Sequence, residues 1–226
     1  MSTYYWVGRT AMMSLSHAIW RPKILGKDNV PKEGGVLLAS NHLSFIDSFA
    51  IPVAAPRKVS FLAKHDYFIG TGIKGRLVRG FMEAGDAIPV DRDDAGGAKD
   101  SLDLALTVLR DGKAFGIYPE GTRSRDGRLY RGKTGVAFLS LTADVPVVPV
   151  GLIGTDRVQP ADRRGLRFAD VTIAFGKPIL PSAYAGLPAG RARRQLTDDV
   201  MDSIAALTGQ ERVDSYNERP ATDPDD

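Results

Sequence analysis

A histidine and an aspartate with four residues between them are the first pair in this sequence whose types could support acid–base chemistry. His42 and Asp47 follow an apolar run at residues 36–39. They cannot share one face of a helix, because five helical steps place two residues about 140° apart. They can meet if His42 lies in a loop and Asp47 lies in the first turn of a helix that Ser44 caps.

An aspartate placed in this way would bond one imidazole nitrogen, fix the tautomer of the ring and stabilise the imidazolium. The other nitrogen could then take a proton from a substrate hydroxyl, which is general-base catalysis. The alternative is that Asp47 only caps the helix and that His42 is an ordinary polar loop residue. The pair taken alone leaves both interpretations open.

A second polar segment, Tyr-Pro-Glu-Gly-Thr-Arg-Ser at residues 118–124, has the composition of an anion-binding loop. Gly121 would let backbone amides approach a ligand, and the side chains of Thr122 and Arg123 would donate hydrogen bonds. Further basic residues follow it: Arg125, Arg128, Arg131 and Lys133. Arginine suits bidentate contact with phosphate, so the segment predicts a phosphate site, and the alternative is a solvated basic turn.

The elements that must position these segments alternate between strands and helices. Strand-like apolar runs occur at residues 36–39, 59–63, 87–90, 114–118, 147–152 and 171–175. Helical patterns begin near residue 44 and cover residues 65–84, 97–110, 134–141 and 196–207. This alternation predicts an α/β fold, a single domain with a mostly parallel sheet flanked by helices. Both polar segments follow strands, and such sheets place their sites at the carboxyl ends of strands.

The two ends of the chain differ in pattern from its middle. Residues 4–20 predict an amphipathic helix, and residues 1–27 carry four basic side chains and no acid. We expect residues 1–27 to be a membrane-docking helix, although this helix could instead pack on the domain. Residues 28–209 would form the main domain, and the acidic residues 210–226 a disordered tail. No apolar stretch approaches the roughly 20 residues that a membrane-spanning helix needs.

The composition excludes several classes of site. The chain has no cysteine, which removes disulfides, thiolate metal sites and a cysteine nucleophile. Its histidines form no metal-binding motif, so no metal is expected. The glycines of residues 70–75 match Gly-x-Gly-x-x-Gly, but no strand directly precedes them, as a dinucleotide-binding loop requires. The basic first half of the chain indicates an anionic partner, and no nucleic-acid-binding motif is evident.

Four ordered blocks resemble those of the glycerophosphate/lysophosphatidate acyltransferase family, the group that makes phosphatidic acid. They are an Asn-His-x4-Asp pattern, a block ending in Asp-Arg, a Pro-Glu-Gly-Thr-Arg-Ser block and a hydrophobic run around proline. The matching residues are Asn41, His42 and Asp47, then residues 88–92, 118–124 and 145–150. The third block has tyrosine where the family has phenylalanine. The resemblance runs from about residue 30 to residue 180.

The resemblance implies roles for individual residues. His42 and Asp47 would be the charge-relay pair. The residues that would hold the acceptor phosphate are Arg92, Glu120, Gly121, Thr122 and Arg123, with Lys64 assisting. The acyl donor would already be an activated thioester, and the chain has no Gly-x-Ser-x-Gly nucleophile motif. Direct attack by the acceptor hydroxyl would therefore suffice.

The implied activity is transfer of a fatty acyl group from acyl-CoA or acyl carrier protein to the free hydroxyl of 1-acylglycerol-3-phosphate, giving phosphatidic acid without a cofactor. The expected location is the cytoplasmic face of the plasma membrane, as a peripheral protein. The expected partners are a lysophospholipid and the membrane surface, with no nucleic acid. Alternatives are another acceptor (glycerol 3-phosphate, another lysolipid or a glycolipid), a hydrolase, and a non-catalytic lipid-binding module.

Overall fold

The strands of the computed structural model are β1 (Lys23–Leu25), β2 (Val36–Ser40), β3 (Val59–Ser60), β4 (Leu62–Lys64), β5 (Ile88–Val90), β6 (Ala114–Ile117), β7 (Val147–Ile153) and β8 (Thr172–Phe175). Six of them form the main sheet, in the order β1-β8-β7-β2-β6-β3. All neighbours in this sheet are parallel except β7 and β8, which are antiparallel. Strands β4 and β5 form a separate parallel pair.

The helices are α1 (Asp47–Ala54), α2 (Gly97–Arg110), α3 (Gly135–Ala143), the single turn α4 (Thr155–Val158) and α5 (Ala189–Thr208). Two short 3-10 helices cover Lys27–Asn29 and Pro181–Tyr184. None of the helices in the described part of the chain is long and apolar enough to cross a membrane.

The structure describes residues 22–64, 69, 70, 72, 75, 76, 87–90, 97–160, 165 and 167–218. Several sequence-based predictions lie outside these residues: the helix at residues 4–20, most of the helical region at 65–84, Arg92, and the end of the acidic tail at 219–226. Lys64 ends β4, but its side chain is outside the described part as well.

Strand β2 runs through the middle of the sheet and is buried along its whole length. Its side chains alternate between two apolar cores. Leu37 and Ala39 pack with α2, α3 and α5, whereas Val36 and Leu38 pack with α1. Helices therefore cover both faces of the sheet, which explains why the buried strands have continuous apolar sequences. The α/β fold with a mostly parallel sheet is confirmed.

Three details of the sequence-based prediction are wrong. Lys23–Leu25 is a strand paired with β8, so the main domain begins before residue 28. Residues 210–218 are not a disordered tail, because their backbone bonds to that of Leu129 and Arg131. Ser44 does not cap α1: its hydroxyl donates to the carbonyl of Gln159 at 2.9 Å instead. In the first and second cases short edge segments lack the periodicity that would reveal pairing.

The carboxyl ends of β2, β6 and β7 lie at one edge of the sheet, because the three strands are parallel neighbours. The chain leaves β2 into residues 41–47 and leaves β6 into residues 118–124. The register pairs Ala39 with Ile117, so the two polar segments leave the sheet side by side. This topology brings together the two segments that the sequence singles out.

Candidate active site

His42 and Asp47 meet as their spacing predicts. His42 lies in the loop after β2, and Asp47 is the first residue of α1. The imidazole Nδ1 is 2.9 Å from the Asp47 Oδ2. That oxygen also accepts the backbone N–H groups of Leu43 at 2.7 Å and Ser44 at 2.8 Å. Three donors around one carboxylate oxygen fix both side chains, so neutral His42 carries its proton on Nδ1.

Nε2 of His42 is the nitrogen left for chemistry. Among the residues that the structure describes, none hydrogen bonds to it. The His42 side chain is 17% exposed, whereas that of Asp47 is fully buried. A ring held through Nδ1, with its second nitrogen able to accept a proton, has the arrangement of a general base.

The imidazole is also held from one face by Tyr118. The two rings stack with centroids 3.9 Å apart and planes 10° from parallel. The Tyr118 hydroxyl shares a 3.0 Å hydrogen bond with the Ser48 hydroxyl on α1. The sequence identifies Tyr118 only as a replacement for phenylalanine. In the structure its hydroxyl connects the end of β6 to the helix that carries Asp47. The position of Tyr118, directly after a central strand and beside the His42 loop, could have indicated this contact from the sequence.

Asn41 fixes the start of the His42 loop. Its side chain is fully buried. Its Nδ2 donates to the Leu152 carbonyl at 2.9 Å, and its Oδ1 accepts the Leu152 N–H at 2.8 Å. Nδ2 donates in addition to Oε1 of Gln210 at 2.8 Å. The Asn41 amide thus bonds to β7 directly after the last paired residue of β2. These bonds determine the direction in which the chain leaves the sheet at His42.

Glu120 is buried between the two polar segments, and its contact with the acceptor phosphate stays a prediction. The residue is 0% exposed. Its Oε1 accepts the His42 N–H at 3.3 Å, and its Oε2 accepts the Tyr130 N–H at 3.0 Å. A buried carboxyl group that accepts hydrogen bonds from two backbone amides braces the loops that carry those amides. We call residues 119–133 the polar loop. Within this loop, Glu120 connects the backbone of His42 to the backbone of Tyr130.

Burial raises the pKa of Glu120 from its ordinary value of 4.5 to about 7, although the two backbone hydrogen bonds oppose this rise. The folded protein therefore holds the Glu120 proton more tightly than the unfolded chain does. The contribution of this group to the free energy of unfolding is present in full below pH 4.5, and it is lost as the pH rises to about 7.

We expect the Glu120→Gln variant to have a flatter dependence of unfolding free energy on pH than the wild type. Between pH 5 and pH 8, the wild type should lose roughly 2–3 kcal/mol that the variant does not lose. Urea denaturation of both proteins at several pH values measures this difference. Parallel pH curves for the two proteins would show that Glu120 has an ordinary pKa.

The polar loop turns sharply at Gly121, whose φ of +81° favours glycine. The Gly121 N–H donates to the Tyr118 carbonyl at 3.0 Å. A Cβ at Gly121 would lie 2.9 Å from the Lys133 Nζ, so the Lys133 ammonium lies directly over the glycine. The sequence placed Lys133 only among the surrounding basic residues, but the fold places its charge beside this turn. Thr122 and Arg123 follow the turn and are partly exposed.

Two other basic residues of the polar loop are bound to acids. Arg128 donates to the Asp126 carboxylate at 2.7 Å. Arg131 lies 3.7 Å from the Asp214 carboxylate, and its guanidinium is 5.3 Å from the centre of the Tyr216 ring. These two arginines stabilise the loop and its neighbours rather than extending a phosphate site. Gly121 and Lys133 lie together at the turn and Arg123 follows it, and their role as anion contacts stays a prediction.

Lys64 and Arg92 are less completely described. The register of the β4–β5 pair places Lys64 opposite Val90, two residues before Arg92. The roles of Lys64 and Arg92 remain predictions.

Residues 21–153 match the family model described as Acyltransferase. The chain belongs to the acyltransferase family. The matched region contains His42, Asp47 and the residues of the 118–124 segment, and it ends before β8, α5 and residues 210–218. The region that matches the family model therefore covers the pair and the whole polar loop, but not the C-terminal part of the domain.

Curated relatives support this membership. A Brassica napus chloroplastic 1-acyl-sn-glycerol-3-phosphate acyltransferase, BAT2, is 30% identical over 81% of this acyltransferase and 52% of the relative. A Bacillus subtilis 1-acyl-sn-glycerol-3-phosphate acyltransferase is 26% identical over 82% of this chain and 87% of the relative. The chain thus spans about half the length of the plant relative and most of the bacterial one.

A solved structure shares the fold of this acyltransferase. The crystal structure of the 1-acyl-sn-glycerophosphate acyltransferase PlsC from Thermotoga maritima aligns with a TM-score of 0.65 and 21% identity. The alignment covers 88% of this chain and 80% of the other. The sheet and its helices therefore form a fold already observed in a solved member of this group.

Proposed function

We propose that this protein transfers a fatty acyl group from an acyl thioester to the free hydroxyl of 1-acylglycerol-3-phosphate, giving phosphatidic acid. The single observation that carries the proposal is the His42–Asp47 pair, with Nδ1 bound to a buried carboxylate at 2.9 Å beside a basic loop. The names of the plant and bacterial relatives point to the same acceptor.

The proposed reaction is a direct transfer. Nε2 of His42 takes the proton of the acceptor hydroxyl as its oxygen attacks the thioester carbonyl. The tetrahedral adduct then collapses, the carbon–sulfur bond breaks, and the imidazolium returns the proton to the leaving thiolate. Asp47 stabilises the imidazolium between these two steps. The products are the acylated lipid and a free thiol, and no acyl-enzyme is formed.

The acceptor phosphate is proposed to lie against the polar loop, where the Lys133 ammonium lies over Gly121 and where Thr122 and Arg123 follow the turn. Lys64, at the end of β4, and Arg92 would complete the site. Guanidinium and ammonium groups supply the charged donors that a phosphate dianion prefers.

Replacement of Arg123 by alanine should raise the KM for the acceptor and leave the KM for the thioester donor nearly unchanged. Loss of one charged hydrogen bond to phosphate costs about 1.5–3 kcal/mol, or roughly 10- to 150-fold. Arg128→Ala is the matched control, because Arg128 belongs to the same loop but is bound to Asp126. An equal effect of Arg123→Ala on both substrates would remove Arg123 from the acceptor site.

A panel of acceptors tests the function as a whole. The enzyme is supplied with one labelled acyl thioester and, in turn, 1-acylglycerol-3-phosphate, glycerol 3-phosphate, a lysolipid without the terminal phosphate, a glycolipid, or no acceptor. We expect phosphatidic acid from the first acceptor to be the dominant product. A higher kcat/KM with another acceptor would change the substrate, and free fatty acid without any acceptor would indicate a hydrolase. No thiol release with any acceptor would indicate a non-catalytic lipid-binding protein.

The donor is proposed to be acyl-CoA or acyl carrier protein, with no further cofactor. Both carry the acyl chain as a thioester, which is activated enough for a hydroxyl to attack directly. The chain has no cysteine that could accept the acyl group first. Comparison of the two donors at equal concentration identifies which one is used.

The lipid substrate is proposed to reach the site from the surface of the membrane, at the cytoplasmic face of the plasma membrane. The sheet topology supports an approach from the membrane surface. Strand β1 is parallel to β8, and β8 is antiparallel to β7, so β1 runs in the opposite direction to β7. The chain therefore enters β1 at the edge that carries His42. The basic, aromatic residues 1–21 precede this point, and such segments favour anionic interfaces.

Co-sedimentation with anionic vesicles tests the membrane proposal. The full chain should pellet with the vesicles, and less of it should pellet at high salt. A chain that begins at Arg21 keeps β1 and should remain folded but bind weakly. Equal binding of the two proteins would show that residues 1–20 are not the anchor.

A further inference from the structure

Residues 210–218, which we call the C-terminal strap, run beside the polar loop and bond to it repeatedly. The backbone bonds are from the Leu129 N–H to the Glu211 carbonyl (2.9 Å), from the Val213 N–H to the Leu129 carbonyl (2.9 Å) and from the Arg131 N–H to the Ser215 carbonyl (3.0 Å). Leu129, at the centre of this pairing, is fully buried. The strap thus acts as an added strand for a loop that has no strand of its own.

Gln210 at the start of the strap joins the two halves of the site. Its Oε1 accepts a hydrogen bond from the Asn41 Nδ2 at 2.8 Å, directly before His42. Its Nε2 donates to the Gly127 carbonyl of the polar loop at 2.7 Å. One side-chain amide therefore contacts both the residue that starts the His42 loop and the loop proposed to hold phosphate.

Asn217 near the end of the strap bonds to the proposed phosphate site itself. Its Nδ2 donates to the backbone carbonyl of Arg123 at 3.0 Å. A bond to this carbonyl orients the peptide unit that carries the Arg123 side chain. Arg131 adds a charged contact between loop and strap, through Asp214 and the ring of Tyr216.

We infer that the C-terminal strap is a positioning element for the acceptor site, with Gln210 and Asn217 as its positioning residues. The inference rests on the proposed function. Gln210 sets the polar loop relative to His42, and Asn217 sets the backbone of Arg123. Both residues lie beyond the region that matches the acyltransferase family, so they are features of this chain's C-terminal part. Neither side chain need touch the substrate for this role.

A purely structural role of the strap makes a different prediction. If its hydrogen bonds only stabilised the fold, their loss would lower the unfolding midpoint without changing the ratio of the two KM values. If they position the loop, the acceptor KM should rise while the donor KM and the pH profile of kcat stay as in the wild type. The split between the two substrates therefore separates positioning from stability.

The test uses Gln210→Met and Asn217→Leu in the full chain, since both replacements keep side-chain size and remove the amide. Each should raise the acceptor KM by about 2- to 10-fold, the range expected for one neutral hydrogen bond. The matched control is Asn29→Leu. Asn29 makes the same type of bond, from Nδ2 to the Phe175 carbonyl at 2.9 Å, and both residues lie outside the polar loop and the strap. The control should lose comparable stability with no change in either KM.

Amide hydrogen exchange supplies a readout that does not depend on activity. The Leu129 and Arg131 amides should exchange about 2- to 10-fold faster in the two strap variants than in the wild type and the control. Wild-type transfer with unchanged acceptor KM values in both variants would overturn the inference. Exchange at these amides equal to that of the control would overturn it too. No transfer by the wild type would refute the proposed function instead, and the exchange result would then decide whether the strap holds the loop.

Discussion

The His42→Ala variant should lose transfer activity by about 10²- to 10⁴-fold and remain folded. This range is what general-base catalysis contributes, and the described structure shows no second imidazole at the site. The variant should still bind both substrates in the same positions, so the KM values should change much less than kcat. The measurement is the rate of thiol release at saturating concentrations of both substrates.

The control for this prediction is the unfolding midpoint of the same variant. His42 stacks on Tyr118 and binds Asp47, so its removal should lower stability only moderately. A folded His42→Ala protein that keeps a tenth or more of the wild-type turnover would exclude His42 as the base.

The Asp47→Asn variant should have the second-largest effect, a fall in kcat of about 10²-fold or more. Asparagine can keep the hydrogen bonds to Leu43 and Ser44, because its carbonyl oxygen still accepts. In that orientation it cannot supply the negative charge that stabilises the imidazolium. With the amide turned over, it would lose both backbone bonds, present an N–H to the imidazole and favour the wrong tautomer. Steady-state kinetics with both substrates saturating measures the loss.

Asp199→Asn is a suitable control for this substitution. Asp199 lies on α5 and accepts a hydrogen bond from the Tyr184 hydroxyl at 2.6 Å. It should change stability but not kcat. If Asp47→Asn were as active as this control, Asp47 would serve only to organise the first turn of α1.

The local part of the site could be predicted from the sequence, because it depends on neighbouring residues. His42 and Asp47 are five residues apart, and a loop-to-helix boundary between them is enough to bring them together. The glycine turn at Gly121 is equally local. The central strands were also predictable, since central parallel strands are buried on both faces and are therefore apolar throughout.

The distant part of the site could not be predicted in this way. Gln210 is 169 residues from Asn41, and nothing in the spacing of either residue indicates their contact. Glu120 stands in a polar sequence beside glycine, and the family resemblance implies for it only a role in phosphate binding. Its burial is a consequence of tertiary packing, because His42 and Tyr130 turn their amides toward it from two separate segments.

The basic residues of the polar loop give a similar lesson. The sequence presents Arg123, Arg128, Arg131 and Lys133 as one cationic group. The fold divides them, since Arg128 and Arg131 face Asp126 and Asp214, whereas Lys133 lies over Gly121. Charge counted along a segment therefore overstates the charge that a ligand would meet.

The most direct test of direct acyl transfer assisted by His42 is thiol release on mixing the enzyme with a labelled acyl thioester, before and after addition of 1-acylglycerol-3-phosphate. We expect no burst of thiol and no acylated protein before the acceptor is added. After its addition, thiol and phosphatidic acid should form in equal amounts. A burst equal to the enzyme concentration before acceptor addition would demonstrate an acyl-enzyme, and steady release of free fatty acid would demonstrate hydrolysis; either result would contradict direct transfer.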